Sequence, residues 1–242
     1  HLDLDDVTAI YVRRRSLPEC DNIKDGFRNF VEQEWVCLQK NLLALLDDRF
    51  WISHPDALAR ASNKIAQLRM AQTNGMSIPD TIITNSGEEA IQFQDQHGLC
   101  IYKPHDGGSI DRQSKMALYT NVLRQPLHRI PHFHERMQIC PGIFQPYIEK
   151  AYELRVTVVG DKVFAARIDS QKSEKAKIDW RRHDFTNVPY SPYILPEEIT
   201  NQCVAMLQSF GLQFGAIDMI VTPTDEYYFL EINANGQWGW VE

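Results

Sequence analysis

The stretch Phe229-Leu230-Glu231-Ile232-Asn233 alternates apolar and polar side chains, a pattern that predicts an amphipathic β-strand. Residues two apart on a strand point to the same side of the sheet, so Glu231 and Asn233 share one face. A four-residue turn is expected to pair this strand with Gly215–Val221, which places Asp218 opposite Glu231. Three side chains that carry oxygen atoms are therefore predicted to converge on one face of a hairpin.

This oxygen cluster has two interpretations. Mg²⁺ prefers hard oxygen ligands and keeps positions open for water and phosphate oxygens, so Asp218, Glu231 and Asn233 are candidate metal ligands. Alternatively, the two carboxylates are only the solvated face of a surface hairpin. Candidate phosphate-binding residues elsewhere in the chain are needed to choose between the two interpretations. The neighbouring apolar residues are expected to face the opposite way, into a core: Ile217, Met219, Leu230 and Ile232.

Composition narrows the function classes. The chain has 242 residues, 43% of them hydrophobic, which is enough for one large domain or two smaller ones. Its formal net charge of -7 argues against nucleic acid as the main ligand, because phosphate-backbone binding normally needs a basic face. The five cysteines form no Cys-x-x-Cys pair, and the histidines between Pro126 and Met137 are better explained as loop surface than as a metal site. No apolar run is long enough to span a bilayer, so we expect a cytoplasmic protein without a membrane partner.

Local patterns outline an α/β organisation. Ala9–Val12 and Phe27–Leu46 are predicted to form a strand and a helix, and Pro55–Thr73 two short helices that meet near Asn63. Leu99–Lys103 and Gly142–Gln145 are predicted strands, and Pro196–Gly211 a helix that follows a long polar loop.

A second hairpin is predicted between Tyr152 and Ser170. We expect its loop to contain three residues, because Val159 then pairs with Val163 and the apolar and polar side chains separate onto two faces. That register makes Arg155 and Arg167 neighbours on the polar face, where two like charges favour an anion between them. Alternatively, the nearby acidic residues simply neutralise both arginines: Glu153 and Asp169.

Two lysines and a glycine-rich loop are further candidates for phosphate binding. Lys64 begins a predicted helix, and Lys103 ends a predicted strand. Gly107, Gly108 and Ser109 follow, and glycines allow backbone N–H groups to approach a phosphate closely. Neither a P-loop nor a dinucleotide-binding glycine motif occurs, so any nucleotide site has another design. Each lysine alone is also compatible with an ordinary surface position.

The order of these residues from about position 50 onward resembles that of ATP-grasp ligases. The segments YELRVTVVGDKVFAARIDSQ, IDWRR and FLEINANGQWGW are more narrowly similar to the maturases of microviridin-type ribosomal peptides, the graspetide synthetases. The resemblance implies an α+β fold in which two α+β subdomains, at 53–140 and 141–242, clasp ATP after a partial α/β N-terminal domain at 1–52. The family pattern also leads us to expect a strand before His1 and a helix after Glu242, as in a fragment of a longer protein.

The same resemblance implies roles for individual residues. Lys64, Lys103 and the glycine-rich loop would hold phosphates, and Asp218, Glu231 and Asn233 would bind Mg²⁺. Arg155 and Arg167 would stabilise the transferred phosphoryl group. The linker would contact the nucleoside, with backbone groups near the adenine and Glu149 near the ribose: Gln145, Tyr147, Ile148 and Glu149.

The implied reaction consumes ATP to activate Asp or Glu side chains of a ribosomal precursor peptide, with a leader and an acidic core, and joins them to Ser, Thr or Lys. Arg181 and Arg182 are candidates for holding that acidic peptide. The resemblance also suggests a homodimer. Two alternatives stay open: a ligase that adds a free amino acid to a peptide or metabolite, and a nucleotide-binding regulatory module without turnover.

Overall fold

The computed structural model describes residues 3–13, 23–105, 120–180 and 186–237. Its α-helices, α1 to α6, are Asp25–Ala44, Pro55–Ala61, Lys64–Thr73, Gly87–His97, Phe133–Ile139 and Glu197–Phe210. Its strands, β1 to β11, are Ala9–Tyr11, Phe50–Ile52, Ile82–Thr84, Cys100–Lys103, Asn121–Leu123, Gly142–Pro146, Tyr152–Val159, Lys162–Ile168, Tyr190–Tyr193, Phe214–Val221 and Tyr227–Asn233. In these ranges no helix is both long and apolar enough to cross a membrane.

The larger sheet has five antiparallel strands in the order β11-β10-β7-β8-β9. One of its faces packs against α2, α3 and α6 and forms the main core, to which Leu154, Ile217 and Phe229 contribute fully buried side chains. This face also contains Ile232 and Met219, as the alternation in the last hairpin predicted. The opposite face carries the polar residues of the candidate site.

The helices against this core begin and end at residues that suit those positions. The side chain of Asn63 accepts hydrogen bonds from the N–H groups of Ile65 and Ala66, so it caps α3 and separates it from α2 as expected. Gly211 ends α6 in the left-handed region, at φ 72°, where a residue without a Cβ atom is favoured. The resulting position of α3 brings Lys64 to the sheet edge formed by β11.

The smaller sheet has the order β3-β6-β4-β5 and packs against α4 and α5. Gly142 on β6 lies so close to the Tyr102 ring that any added Cβ atom would collide with it. The segment Gly142–Pro146 was assigned to the second subdomain by sequence, whereas it pairs here with β3 and β4. Conversely, α2 and α3 pack against the larger sheet. The boundaries at 52 and 140 stay predictions. Across the boundary at 140, β6 pairs with β3 and β4, and α2 and α3 pack against the larger sheet.

The N-terminal region contains a parallel pair of strands, β1 and β2, and the long helix α1. The strand at Ala9 and the helix were both predicted, while β2 was not. Parallel pairing with an intervening helix is typical of an α/β unit. The polar segment between Ser170 and Pro196 was predicted to be a loop, but it also contains the short strand β9.

The register of the β7–β8 hairpin differs from the prediction. Val159 pairs with Lys162, so the loop has two residues rather than three, and Arg155 lies opposite Ala166. Arg167 instead lies opposite Leu154, on the face that covers the main core. The predicted adjacency of the two arginines is therefore wrong, because a shift of one residue moves every side chain to the other face.

Candidate functional site

A cleft is lined by residues of both sheets. Its apolar walls come from Ile101 on one side and from Ile220 and Leu230 on the other. Charged side chains are concentrated in the same cleft: Lys64, Lys103, Lys150, Glu153, Asp179, Asp218 and Glu231. An apolar slot with a few convergent polar groups is the usual form of a small-ligand site.

The acidic hairpin has the predicted pairing at the three candidate ligands, but its turn differs from the prediction: Val221 pairs with Tyr227, so five residues separate the strands instead of four. Asp218 pairs with Glu231, and Ala216 pairs with Asn233, so the three predicted ligands lie on one face. A β-bulge follows Asp218, so that Met219 pairs with Phe229 instead of Leu230. The bulge turns Leu230 into the cleft, which corrects the expectation that Leu230 faces the core.

Asp218 is held by two partners on this face. The Nη1 atom of Arg155 donates to both Asp218 carboxylate oxygens at 2.8 Å, and the two side chains are 6% and 5% exposed. The amide nitrogen of Asn233 donates to Asp218 Oδ2 at 3.0 Å. The side-chain oxygen of Asn233 therefore points away from this bond. Buried carboxylates need such partners, because an isolated buried charge is costly.

The donor set fits Mg²⁺. Asp218 and Glu231 supply carboxylate oxygens, Asn233 supplies an amide oxygen, and the Lys64 ammonium lies 3.9 Å from Glu231 Oε2. Hard oxygen ligands of this number, with positions left for phosphate oxygens, suit Mg²⁺ rather than a softer metal. Within the described ranges, no group of three or more His, Cys, Asp or Glu residues is arranged to hold a metal ion.

The two predicted lysines reach the cleft from elements of different sheets, since α3 packs against the larger sheet and β4 belongs to the smaller one. Lys64 begins α3, and its Nζ atom donates to the carbonyl oxygen of Pro104 at 3.2 Å. Lys103 ends β4 and lines the same cleft. Two lysine side chains on the lining of an apolar slot suit a polyphosphate. Gly107, Gly108 and Ser109 fall outside the described residues, as do Arg181 and Arg182.

The predicted linker forms a wall of the cleft. Gln145, Tyr147 and Ile148 line it, whereas Glu149 is exposed and is not among the lining residues. The Tyr147 N–H donates to the Leu99 carbonyl at 2.7 Å, so this backbone group is already used within the protein. The linker is therefore placed against the slot, and Glu149 is the one predicted linker residue that lies away from it.

A buried ion pair that sequence reasoning missed also lines the slot. Lys150 Nζ donates to Glu153 Oε1 at 2.6 Å and to the carbonyl oxygen of Ile178 at 3.1 Å. Ser170 Oγ donates to the same Glu153 oxygen at 2.8 Å. Burial raises the pKa of the Glu153 carboxyl, and its contacts with Lys150 and Ser170 limit that rise. These bonds fasten the segment that carries Ile178 to β7.

Arg167 lies away from this site. Its guanidinium carbon is 3.9 Å from the centroid of the Tyr152 ring, and its Nε atom donates to Asp169 at 2.7 Å. The partner expected from sequence as a neutralising alternative, Asp169, is thus its actual neighbour. The geometry brings Arg155 to the acidic cluster but not Arg167.

A second, wider cleft adjoins the first. Lys64, Trp180 and Glu231 line both clefts and so mark the place where they meet. The second cleft adds Arg155, which lies 5.7 Å from the Trp180 ring centroid, and Gly236. A Cβ atom on Gly236 would come within 2.7 Å of the Arg155 side chain, so glycine is needed for this close approach. A ligand in each cleft would meet its neighbour beside the acidic cluster.

Comparison with known proteins agrees with this geometry. Residues 61–242 match the RimK-like ATP-grasp domain. A RiPP-associated ATP-grasp ligase of Chryseobacterium gregarium, solved with ADP and a leader and core peptide, is 35% identical with a TM-score of 0.88, and the match covers 98% of this chain and 72% of that one. The macrocyclase MdnC of Microcystis aeruginosa, bound to its precursor peptide, is 33% identical with a TM-score of 0.83, over 100% and 74% of the two chains.

A more distant relative is a glutamate ligase. The tetrahydromethanopterin:alpha-L-glutamate ligase of Methanocaldococcus jannaschii is 25% identical over 229 residues, which are 88% of this chain and 75% of that protein. The predicted ATP-grasp fold and the resemblance to peptide maturases are both confirmed by these matches. The two sheets, the cleft between them and these similarities lead to one conclusion: the chain belongs to the RimK-like ATP-grasp family of ligases.

Proposed function

We propose that this ligase uses Mg–ATP to phosphorylate Asp or Glu side chains of a ribosomal precursor peptide and then joins them to Ser, Thr or Lys side chains of the same peptide. The observation that carries the proposal is the meeting of two clefts at Lys64, Trp180 and Glu231. The apolar slot suits a nucleotide, and the wider cleft has room for a chain of residues. Two structural relatives of at least 33% identity were solved with peptides bound.

The first step is phosphoryl transfer. A peptide carboxylate oxygen attacks the γ-phosphorus, the bond to the β-phosphate oxygen breaks, and ADP leaves. Lys64 and Lys103 hold the phosphates, and Arg155 faces the transferred group from the wider cleft. Bound Mg²⁺, held by Asp218, Glu231 and Asn233, would neutralise charge on the phosphate oxygens. Such transfer needs positioning and charge neutralisation more than a protein nucleophile.

The second step forms the cross-link. A hydroxyl or amine of the peptide attacks the acyl carbon and gives up its proton, and phosphate leaves with one oxygen of the original carboxylate. The product is a cyclic ester or amide together with ADP and phosphate. Trp180 is buried and lines the junction, so it would limit the access of water there and protect the acyl phosphate from hydrolysis.

Intact mass spectrometry tests the proposal. The protein is incubated with Mg–ATP and with the small acidic peptides encoded beside its gene. Loss of one water per cross-link supports the macrocyclase function, and an unchanged peptide mass would contradict it. Glu231→Gln should abolish the product, whereas Glu226→Gln, the same change at an exposed position of the same hairpin, should not.

A second candidate is the addition of a free amino acid, which the glutamate ligase relative favours. In that case the acceptor gains the mass of an amino acid less one water, so the same spectrum separates the two functions. A homodimeric state and a cytoplasmic location remain predictions from the family resemblance and from composition.

A further inference from the structure

The outer edge of β11 carries the metal-binding residues of the proposed site. β11 is the terminal strand of the larger sheet, with β10 on one side. On an edge strand, the N–H and C=O groups that face away from the sheet have no neighbouring strand to bond. Where such groups are buried, another part of the protein must supply their hydrogen bonds. At Ile232, the residue between Glu231 and Asn233, those bonds come from a side chain.

Gln67 on α3 supplies them. Its Oε1 atom accepts a hydrogen bond from the Ile232 N–H at 3.0 Å, and its Nε2 atom donates to the Ile232 carbonyl at 3.0 Å. The second hydrogen of the same nitrogen is directed to the Ala61 carbonyl at 2.6 Å. Gln67 is 4% exposed, so its amide is fully used inside the protein. The side chain thus imitates a neighbouring strand at one residue.

A second outward bond lies on the other side of the bulge. The Phe229 N–H donates to the Ser77 carbonyl at 2.8 Å. Leu230 and Glu231 lie between the two hydrogen-bonded residues Phe229 and Ile232, so these flanking bonds hold the bulge in one conformation. The Gln67 and Ser77 contacts therefore fix the turn of Leu230 into the slot and of Glu231 toward Asp218.

The same helix also carries a phosphate-binding candidate. Lys64 lies one turn before Gln67, and residues three apart on a helix share a face. Lys64 lies 3.9 Å from Glu231, and Gln67 bonds the next residue, Ile232. The hydrogen bonds of the Gln67 side-chain amide therefore set the distance between Lys64 and the acidic hairpin.

We propose that Gln67 is a positioning residue for the metal site: its amide locks β11 to α3 so that Glu231, Asn233 and Lys64 keep one geometry. This inference rests on the proposed use of Asp218, Glu231 and Asn233 as Mg²⁺ ligands. Residues that orient metal ligands without touching the metal typically change its affinity by roughly 10- to 100-fold when replaced.

The test compares ADP binding with Mg²⁺ and with EDTA by calorimetry. In Gln67→Met, which keeps the size but loses the hydrogen bonds, the enhancement of ADP affinity by Mg²⁺ should fall by roughly tenfold or more. Affinity in EDTA, which depends on Lys64 but not on the metal ligands, should fall by a smaller factor. Gln94→Met is the matched control. Gln94 is also buried on a helix and bonds backbone groups of Leu127 and Gln125, none of which lines either cleft. It should lose thermal stability but keep the full Mg²⁺ enhancement.

Gln67→Glu provides a second variant should the methionine variant fail to fold. It retains an oxygen for the Ile232 N–H but places a carboxylate against the carbonyls of Ile232 and Ala61, so the Mg²⁺ enhancement should again fall. Full enhancement in a folded Gln67 variant would overturn the inference alone. A wild-type protein whose ADP affinity does not respond to Mg²⁺ would overturn the proposed metal site, and the inference with it.

Discussion

The replacement Lys150→Met should destabilise the protein strongly. Lys150 and Glu153 are each 4% exposed, and their charged atoms are 2.6 Å apart. At that separation the attraction is about 6 kcal/mol with an effective dielectric constant of about 20. Much of this offsets the cost of burying both charges, and removing one partner of a buried pair typically costs about 3–5 kcal/mol. Urea unfolding should show a loss of that size at neutral pH.

The control is Lys177→Met. Lys177 also pairs with a glutamate three residues away, Glu174, but the glutamate is 90% exposed, and such surface pairs contribute about 0–1 kcal/mol. Equal losses in the two variants would refute the argument that burial decides the size of the effect.

The loss in Lys150→Met should also depend on pH. Burial raises the pKa of Glu153 in the folded state, and Lys150 opposes this rise. A carboxyl with a raised folded pKa loses stability as the pH climbs from about 4.3, the unfolded value, through the folded value. Without Lys150 the folded pKa is higher still, so the gap to wild type should widen with rising pH and narrow in acid. A gap that does not vary with pH would contradict the assignment to Glu153.

Three further replacements test other contacts. Arg155→Lys should lower ADP formation by roughly 100-fold, because the lysine ammonium loses the aligned guanidinium contacts. Arg167→Lys, on the other face of the sheet, should change it less than about threefold. Equal losses in a coupled assay would mean that Arg167 acts in the reaction as well. Gly236→Ala should lower turnover by roughly tenfold or more, since its Cβ atom would displace Arg155, and unchanged steady-state rates would count against this contact. Tyr193→Phe removes the hydroxyl that bonds those of Tyr152 at 3.1 Å and Tyr227 at 2.6 Å. Urea unfolding should show a loss of about 1–3 kcal/mol, and the pKa of Tyr152, raised to about 12 by burial and then by this bond, should fall in an ultraviolet titration.

Local sequence patterns predicted the two strands of the last hairpin and the pairing of Asp218 with Glu231, and the cap at Asn63 predicted the separation of α2 from α3. The four-residue turn was wrong: Val221 pairs with Tyr227, so five residues separate the strands, and the bulge restores the predicted pairing at Asp218. The bulge at Leu230 was not predictable, because it depends on contacts with Gln67 and Ser77, more than 150 residues away in sequence for both. Long-range hydrogen bonds leave no periodic signal.

The β7–β8 register was mispredicted for a physical reason. Separation of polar and apolar side chains onto two faces assumes that one face meets water. Residues from Tyr152 to Val158 are buried throughout, because one face covers the main core and the other lines the clefts, while Phe164 on the partner strand is 61% exposed. The polarity of a side chain in β7 or β8 therefore does not indicate which face of the sheet it lies on. The same burial conceals Lys150 and Glu153, which look like surface residues in the sequence.

The central claim, that this ligase activates a carboxylate as an acyl phosphate in the junction beside Glu231, has a direct isotopic test. The precursor peptide is labelled with ¹⁸O in its Asp and Glu side chains and incubated with Mg–ATP, and the released phosphate is analysed by mass spectrometry. One ¹⁸O atom should appear in phosphate for each cross-link formed, because phosphate leaves with a carboxylate oxygen. Release of phosphate without the label, in step with cross-linking, would contradict the account.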